Sequence, residues 1–346
     1  MKNILELSKA ELEKEMTGMS AKKFNASQIM EWIYIKHAGS FEVMSNLPLS
    51  LRELLKKYFV MEKPSVEKKL VSASKDTIKY LLKCSDGVLI ESVLMKHIDR
   101  DTVCLSSQAG CAYGCAMCAT GSMGFKRNLT AAEITGQVFA SLPDMDSGEY
   151  SGKFNVVFMG MGEPLANYDN FKKAAGVLTE KKAFGISARR ITVSTCGVVP
   201  GIENMIRDGL RFNLSVSLHA VNDRVRDMLV PVNKKYRLEK LFTACAKYFA
   251  FNPDPVTFEY VMIKSVNDRE EDLKELICII SDLNIDCKVN LIPYNRINIK
   301  EFSASSQKTL DLWRETLEKE GVICSVRREM GSDINAACGQ LAGGGV

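Results

Sequence analysis

A chain of 346 residues exceeds one ordinary domain, so a large unit with a smaller companion is the expected organisation. With 46% apolar and 25% charged residues it falls in the range of folded soluble proteins, which excludes disordered and fibrous classes, and no apolar run reaches membrane-spanning length. The formal charge of +4 is too mild to hold a polyanion by bulk attraction, so a nucleic-acid partner would have to be met by local patches.

The first 16 residues carry charges every two or three positions and no apolar core of the signal-peptide kind, so a cytoplasmic protein, not membrane-bound, is expected. Apolar residues at helical spacing over 9–16, 27–37 and 49–59 predict a small helical accessory domain at 1–60. Over 61–98 the texture changes to short alternating runs, 77–82 and 88–95, around the turn-forming Ser85-Asp86-Gly87; this predicts a β-rich connector. From 99 to 346 short apolar runs (103–105, 154–159, 191–194, 214–218, 256–263, 288–292) alternate with longer amphipathic stretches (130–142, 170–179, 238–251, 270–283, 305–320). That alternation predicts an α/β fold with a parallel sheet, and about six βα units make it a partial, open barrel, short of the eight that close one. The chain ends in a glycine run at 343–345 that is expected to be mobile.

Eleven cysteines in a chain without a secretion signal point to metal binding or catalysis and not to a disulfide framework. Three of them form the run Cys111-Ala-Tyr-Gly-Cys115-Ala-Met-Cys118, just after the first predicted barrel strand. Four-iron clusters usually take four thiolates, and structural zinc also wants four ligands. Three local ligands would leave one iron open to a chelating cosubstrate. The competing reading is a zinc knuckle completed by a distant Cys or His, in a zinc-stabilised RNA-binding module without catalysis.

Further motifs follow the later strands, where barrel folds carry their working residues. Phe158-Met-Gly-Met-Gly-Glu-Pro164 is a glycine-bearing turn ending in an acid. Gly162 would admit close approach to the backbone and Glu163 could accept hydrogen bonds from an ammonium group. Ser194, then Ser217-Leu218-His219, then Asn295 offer polar groups at strand ends; each alone would pass for turn chemistry, and His219 for a satisfied strand-end histidine.

The C-x3-C-x2-C spacing resembles the signature of the radical S-adenosylmethionine (SAM) superfamily. Cys104-Leu-Ser-Ser-Gln-Ala-Gly-Cys111, the Met-Gly-Met-Gly-Glu-Pro-Leu run and Gly331-Ser-Asp-Ile-Asn-Ala-Ala-Cys338-Gly-Gln-Leu together closely resemble the RlmN family of dual-specificity adenine-C2 methyltransferases of ribosomal and transfer RNA. The resemblance implies a [4Fe-4S] cluster on Cys111, Cys115 and Cys118, and a SAM pocket built from Gly162, Glu163, Ser194, Ser217, Leu218, His219 and Asn295. It also implies two SAM molecules per turnover. In the family's mechanism Cys338 takes a methyl group from one SAM, and a second SAM yields a 5′-deoxyadenosyl radical that abstracts hydrogen from that methyl. The resulting methylene radical adds to C2 of adenine. Glu91 matches the proton acceptor, and Cys104 matches the thiol that frees the product through a transient disulfide with Cys338. A thiol of ordinary pKa is only a few per cent ionised at neutral pH, so Cys104 is expected to need a lowered pKa or close positioning.

The implied substrates are an adenine of the 23S rRNA peptidyl-transferase centre and the adenine beside the tRNA anticodon, with an electron donor such as flavodoxin and a monomeric enzyme. The nearest rival is the Cfr-type adenine-C8 methyltransferase, in which alanine commonly follows the SAM-binding glutamate; here that residue is Pro164. Among the basic pairs, Lys126-Arg127 and Arg327-Arg328 are expected at the rim of the site. For Cys84, Cys196, Cys245, Cys278, Cys287 and Cys324 burial as small apolar residues is the expected role.

Overall fold

The computed structural model describes residues 1–145, 154–297, 302–328 and 330–343, so the expected mobility of Gly344 and Gly345 lies outside the described residues. Helix α1 (Lys9–Gly18) starts at a capping box: the Ser8 hydroxyl accepts from the Glu11 amide at 3.3 Å and the Glu11 carboxylate accepts from the Ser8 amide at 2.8 Å. Helix α2 (Phe24–Met30) runs on into a π-turn at Glu31–Ile35, and α3 (Leu49–Tyr58) completes the N-terminal helical set. The π-turn carries Tyr34, whose ring lies 5.7 Å from Phe139 and 5.3 Å from Phe184, so these helices share their core with the barrel. Ion pairs Lys9–Glu180 (3.2 Å) and Lys173–Glu11 (2.8 Å) flank that contact.

A single sheet of ten strands follows the chain in order: β1 (Ser65–Val71), β2 (Thr77–Lys83), β3 (Leu89–Met95), β4 (Thr102–Cys104), β5 (Asn155–Phe158), β6 (Ile191–Thr195), β7 (Asn213–Ser217), β8 (Val256–Met262), β9 (Cys287–Pro293) and β10 (Ile323–Val326). Pairing is antiparallel from β1 to β4 and parallel from β4 to β10. The β-rich stretch before residue 99 therefore extends the barrel sheet from its first strand. Among the described residues, one long helix spans each parallel crossover: α4 (Ala131–Ser141), α5 (Tyr168–Thr179), α6 (Val199–Arg207), α7 (Leu238–Phe251), α8 (Glu270–Leu283) and α9 (Gln307–Lys319), with a shorter helix, Asp223–Leu229, preceding α7. Six βα units and a last strand, with β1 and β10 at opposite edges, make the open, partial barrel that the sequence predicts.

Several elements escape a reading by periodicity, helix α6 and strand β10 among them. Helix α6 opens with Pro200 and Gly201, which read as a turn, yet Pro is favoured in a first helical turn, and Gly201 is needed because a Cβ there would come within 2.4 Å of the Leu165 side chain. Strand β10 has only four residues, with Ile323 exposed.

The connection from β4 to α4 holds the cysteine run. It is drawn shut by a small hairpin in which Gln108–Gly110 pairs with Phe125–Asn128. Gly110 has φ +74° and a Cβ there would strike the Gly124 carbonyl, so only glycine closes the loop. Gln137, fully buried on α4, accepts from the Ser106 amide and donates to the Ser106 carbonyl, both at 2.8 Å. Gln137→Ala would leave both backbone groups buried and unpaired. The expected loss is about 2 to 4 kcal/mol, read as a lower urea midpoint; an unchanged midpoint would show that water replaces the amide.

Candidate active site

The ends of the parallel strands open into one cavity of about 1040 Å³. Cys104 enters it from the end of β4, Cys111, Cys115 and Cys118 from the loop that follows, and Gly162 and Glu163 from the turn after β5. Ser194, Ser217, His219 and Asn295 line it from the ends of β6, β7 and β9, and Cys338 from the C-terminal segment. Residues far apart in sequence are thus brought to one space. Two candidates do not line it. Leu218 is fully buried and contributes backbone only: its amide donates to the Glu259 carbonyl and its carbonyl accepts from Arg226, each at 3.0 Å. Glu91 lies buried on β3, with one carboxylate oxygen 3.2 Å from Lys79 Nζ and the other accepting from the Ala342 amide at 2.7 Å.

The cysteine loop suits a cluster better than a single ion. A tetrahedral zinc ion with Zn–S bonds of about 2.3 Å draws its sulfurs to within roughly 3.8 Å of one another. The sulfurs of Cys111, Cys115 and Cys118 do not gather within 4.8 Å as a set. Among the described residues such a gathering occurs at Cys84, Asp86 and Glu133, where Arg127 already donates to both carboxylates. Three soft thiols at wider spacing, facing a cavity, fit a polynuclear iron–sulfur centre. Burial pushes Cys111 up to about 12 and Cys118 up to about 11, so without metal both carry protons that a metal would displace. Cys115 is held below its ordinary value by a hydrogen bond from the Cys196 thiol, which is itself driven up by that partner. Cys196, expected to be a small buried hydrophobe, therefore touches the cluster loop. Its position directly after Ser194-Thr195, on a strand end already counted as functional, was the available signal.

Gly162 has φ +91°, and a Cβ there would lie 2.4 Å from the side chain of Gln108. That contact lets Gln108 accept from the Glu163 amide at 2.9 Å and fixes the turn. The Glu163 carboxylate accepts from the amides of Leu165 (3.1 Å) and Cys196 (2.7 Å). Burial raises its pKa and the Cys196 amide opposes the rise. His219 sits at φ +58° with Nδ1 accepting from the Val261 amide at 3.1 Å; burial lowers its pKa to about 3, so the ring is neutral. Arg226, fully buried, donates to the carbonyls of Cys196, Ser217 and Leu218 and to Asn233, tying the ends of β6 and β7 together.

Cys338 is exposed to the cavity, and its carbonyl accepts from the Asn295 side chain at 3.0 Å. The neighbouring Gly339 carbonyl accepts from Ala119 of the cysteine loop at 2.7 Å. Desolvation within the cavity raises the pKa of Cys338, and burial pushes Cys104 up to about 12, with Arg327 opposing both shifts. A lowered pKa at Cys104 is thus not found; positioning beside Arg327 is what the site offers. The basic pairs follow the expectation in part. Arg127 is engaged by Asp86 and Glu133, and Arg327 faces inward, 3.9 Å from Glu259; Arg328 is exposed at the cavity mouth.

The model of the radical SAM superfamily matches residues 105–277, and that of the ribosomal RNA large subunit methyltransferase N-terminal domain matches residues 2–61. A probable dual-specificity RNA methyltransferase RlmN of Pelotomaculum thermopropionicum is 44% identical over 339 residues, covering 98% of this chain and 91% of the relative. The chain belongs to the RlmN family. A second RlmN relative, from Clostridium novyi, is 42% identical over 99% of this chain and 98% of its own length. The crystal structure of a radical SAM methyltransferase from Sphaerobacter thermophilus matches with a TM-score of 0.91 and 39% identity over 99% of both chains. Membership in the RlmN family makes this chain an enzyme of the radical SAM superfamily, with a [4Fe-4S] cluster and SAM as its cofactors. Among the described residues no helix is long and apolar enough to cross a membrane.

Gly162→Ala would force the Gln108 side chain away and strain the turn that aims Glu163. Loss of tenfold or more in SAM affinity is expected, measured by calorimetry on anaerobically reconstituted protein with iron content unchanged. Wild-type affinity would mean that this turn does not bear on the cosubstrate.

Proposed function

We propose that this enzyme methylates C2 of adenine in 23S rRNA and in tRNA at the adenine beside the anticodon, through methylated Cys338 and a transient protein–RNA adduct. What carries the reading is the meeting of Cys338, Cys104 and the three-cysteine loop in one cavity at the strand ends of an RlmN-family fold. Membership in that family favours C2 over the C8 position of the Cfr type, in keeping with Pro164.

Adenine C2 is an electron-poor carbon with no lone pair to attack a sulfonium methyl, so ordinary polar transfer fails. When bound, the cluster on Cys111, Cys115 and Cys118 supplies the electron that makes a radical route available. Glu163, with Gly162, receives the amino-acid end of SAM, while Ser194, Ser217, His219 and Asn295 border the rest of that pocket. The neutral imidazole of His219 can donate or accept without adding charge beside a sulfonium. Cys338 accepts a methyl group from one SAM, a hydrogen atom is taken from that methyl, and its carbon then bonds to C2; this demands a second SAM per turnover. Glu91 accepts the proton that leaves C2. The addition leaves one unpaired electron on the base, which the cluster, when bound, would take back. Cys104, as its thiolate, then attacks the Cys338 sulfur, forming a disulfide as the sulfur–carbon bond to the RNA breaks, and the released carbon takes up a proton to complete the methyl group. Desolvation within the cavity favours the protonated forms of both thiols, and the Arg327 guanidinium supplies the positive field that opposes this. The target base must leave its stack to enter so enclosed a site. Exposed Lys126 and Arg328, with the N-terminal helices, are the expected phosphate contacts.

In Cys104→Ala the steps before release remain available, so protein expressed with cellular RNA should carry covalently attached nucleotides on Cys338, removable by nuclease. The test is a gel shift followed by peptide mass analysis. Cys104→Ala protein that is free of RNA and yields methyladenine at the wild-type rate would exclude Cys104 as the resolving thiol.

A further inference from the structure

The residues gripping the chain on either side of Cys338 come from outside the barrel motifs. Lys79 on β2 pairs across the ladder with Val93 on β3, and Glu91 is the next residue along β3 on the same face. Both are almost completely buried, and their charged groups lie 3.2 Å apart. Each also reaches the C-terminal segment: Lys79 Nζ donates to the Asn335 carbonyl at 3.1 Å, and the Ala342 amide donates to the Glu91 carboxylate at 2.7 Å. Cys338 lies between these two attachments. Within the loop the carbonyls of Cys338, Gly339 and Leu341 are held by Asn295, Ala119 and Thr120.

We propose that Lys79 is a positioning residue for methyl transfer, which acts through Glu91 as a latch on both ends of the Cys338 loop. This rests on the role given above to Cys338. A buried ion pair tolerates loss of one partner poorly, because the other is left charged and unsatisfied, so the pair stiffens whatever is bonded to both of its members. While the loop is docked, one Glu91 oxygen faces Lys79 and the other accepts from the Ala342 amide, so the same carboxylate ties Lys79 to the C-terminal end of the loop.

Hydrogen exchange by mass spectrometry on the full-length, anaerobically reconstituted enzyme tests this without RNA. In Lys79→Met, peptides covering 335–343 should exchange roughly tenfold or more faster than in the wild type, those covering 131–141 should be unchanged, and Lys79→Arg should restore most of the protection. The kcat for RNA methylation should fall with KM for RNA unchanged. Wild-type exchange at 335–343 in Lys79→Met, or a loosened loop with undiminished kcat, would overturn the proposal. Should Lys79→Met not fold, Ala342→Pro removes the amide that Glu91 holds and leaves the ion pair whole; unchanged exchange at 335–341 would then overturn it equally. Because the exchange readout contains no RNA, its failure counts against the latch and leaves the RNA reading standing.

Discussion

The hydrogen bond between the Ala119 amide and the Gly339 carbonyl joins two segments that lie more than two hundred residues apart in the chain. It is short, at 2.7 Å, and the Thr120 hydroxyl adds a second at 2.7 Å to the Leu341 carbonyl. Everything proposed for Cys338 requires this docking, because a thiol on a free tail would spend little time at the cavity. The effective concentration gained by tethering is what turns a two-body encounter into an internal step. Gly339 meets the demand with φ +83°, where a Cβ would press on the Met117 carbonyl at 2.8 Å.

Around this contact the site is organised by burial. Desolvation keeps Cys104, Cys111, Cys118 and Cys338 protonated in the metal-free protein, so the cavity is not a field of free thiolates. Reactivity must be produced locally, by a metal at the loop cysteines and by Arg327, whose charge acts on both Cys104 and Cys338. Arg226 provides another buried cation but answers to carbonyl oxygens, and so acts on shape: it pins the strand ends from which Cys196, Ser217 and Leu218 project. One guanidinium shapes the cavity and the other bears on its thiols.

The sequence discloses much of this, and the gaps have physical causes. Helices α7 and α8 fall on the predicted residues because their apolar periodicity is long and unbroken by glycine or proline. Helix α6 and strand β10 are too short, and α6 too rich in turn-forming residues, for periodicity to find them. The cysteine run, the Gly162-Glu163 turn and Cys338 stand out because their spacing is unusual. Arg226, Gln108, Lys79, Glu259 and Cys196 do not: each is an ordinary residue whose role comes from the neighbour it meets in three dimensions. The exposed or inward direction of Arg127 and Arg327 is of the same kind, since paired basic residues look alike in sequence whether they face water or carboxylates.

The central claim, that the methyl group passes through Cys338 as a carbon that has lost a hydrogen atom, has a direct isotopic signature. When SAM with a fully deuterated methyl group is supplied to anaerobic enzyme and RNA, mass analysis of the isolated nucleoside should find 2-methyladenosine whose methyl keeps two deuterons and has exchanged the third for hydrogen. A methyl group that arrives with all three deuterons would mean direct transfer, and would contradict the route through Cys338.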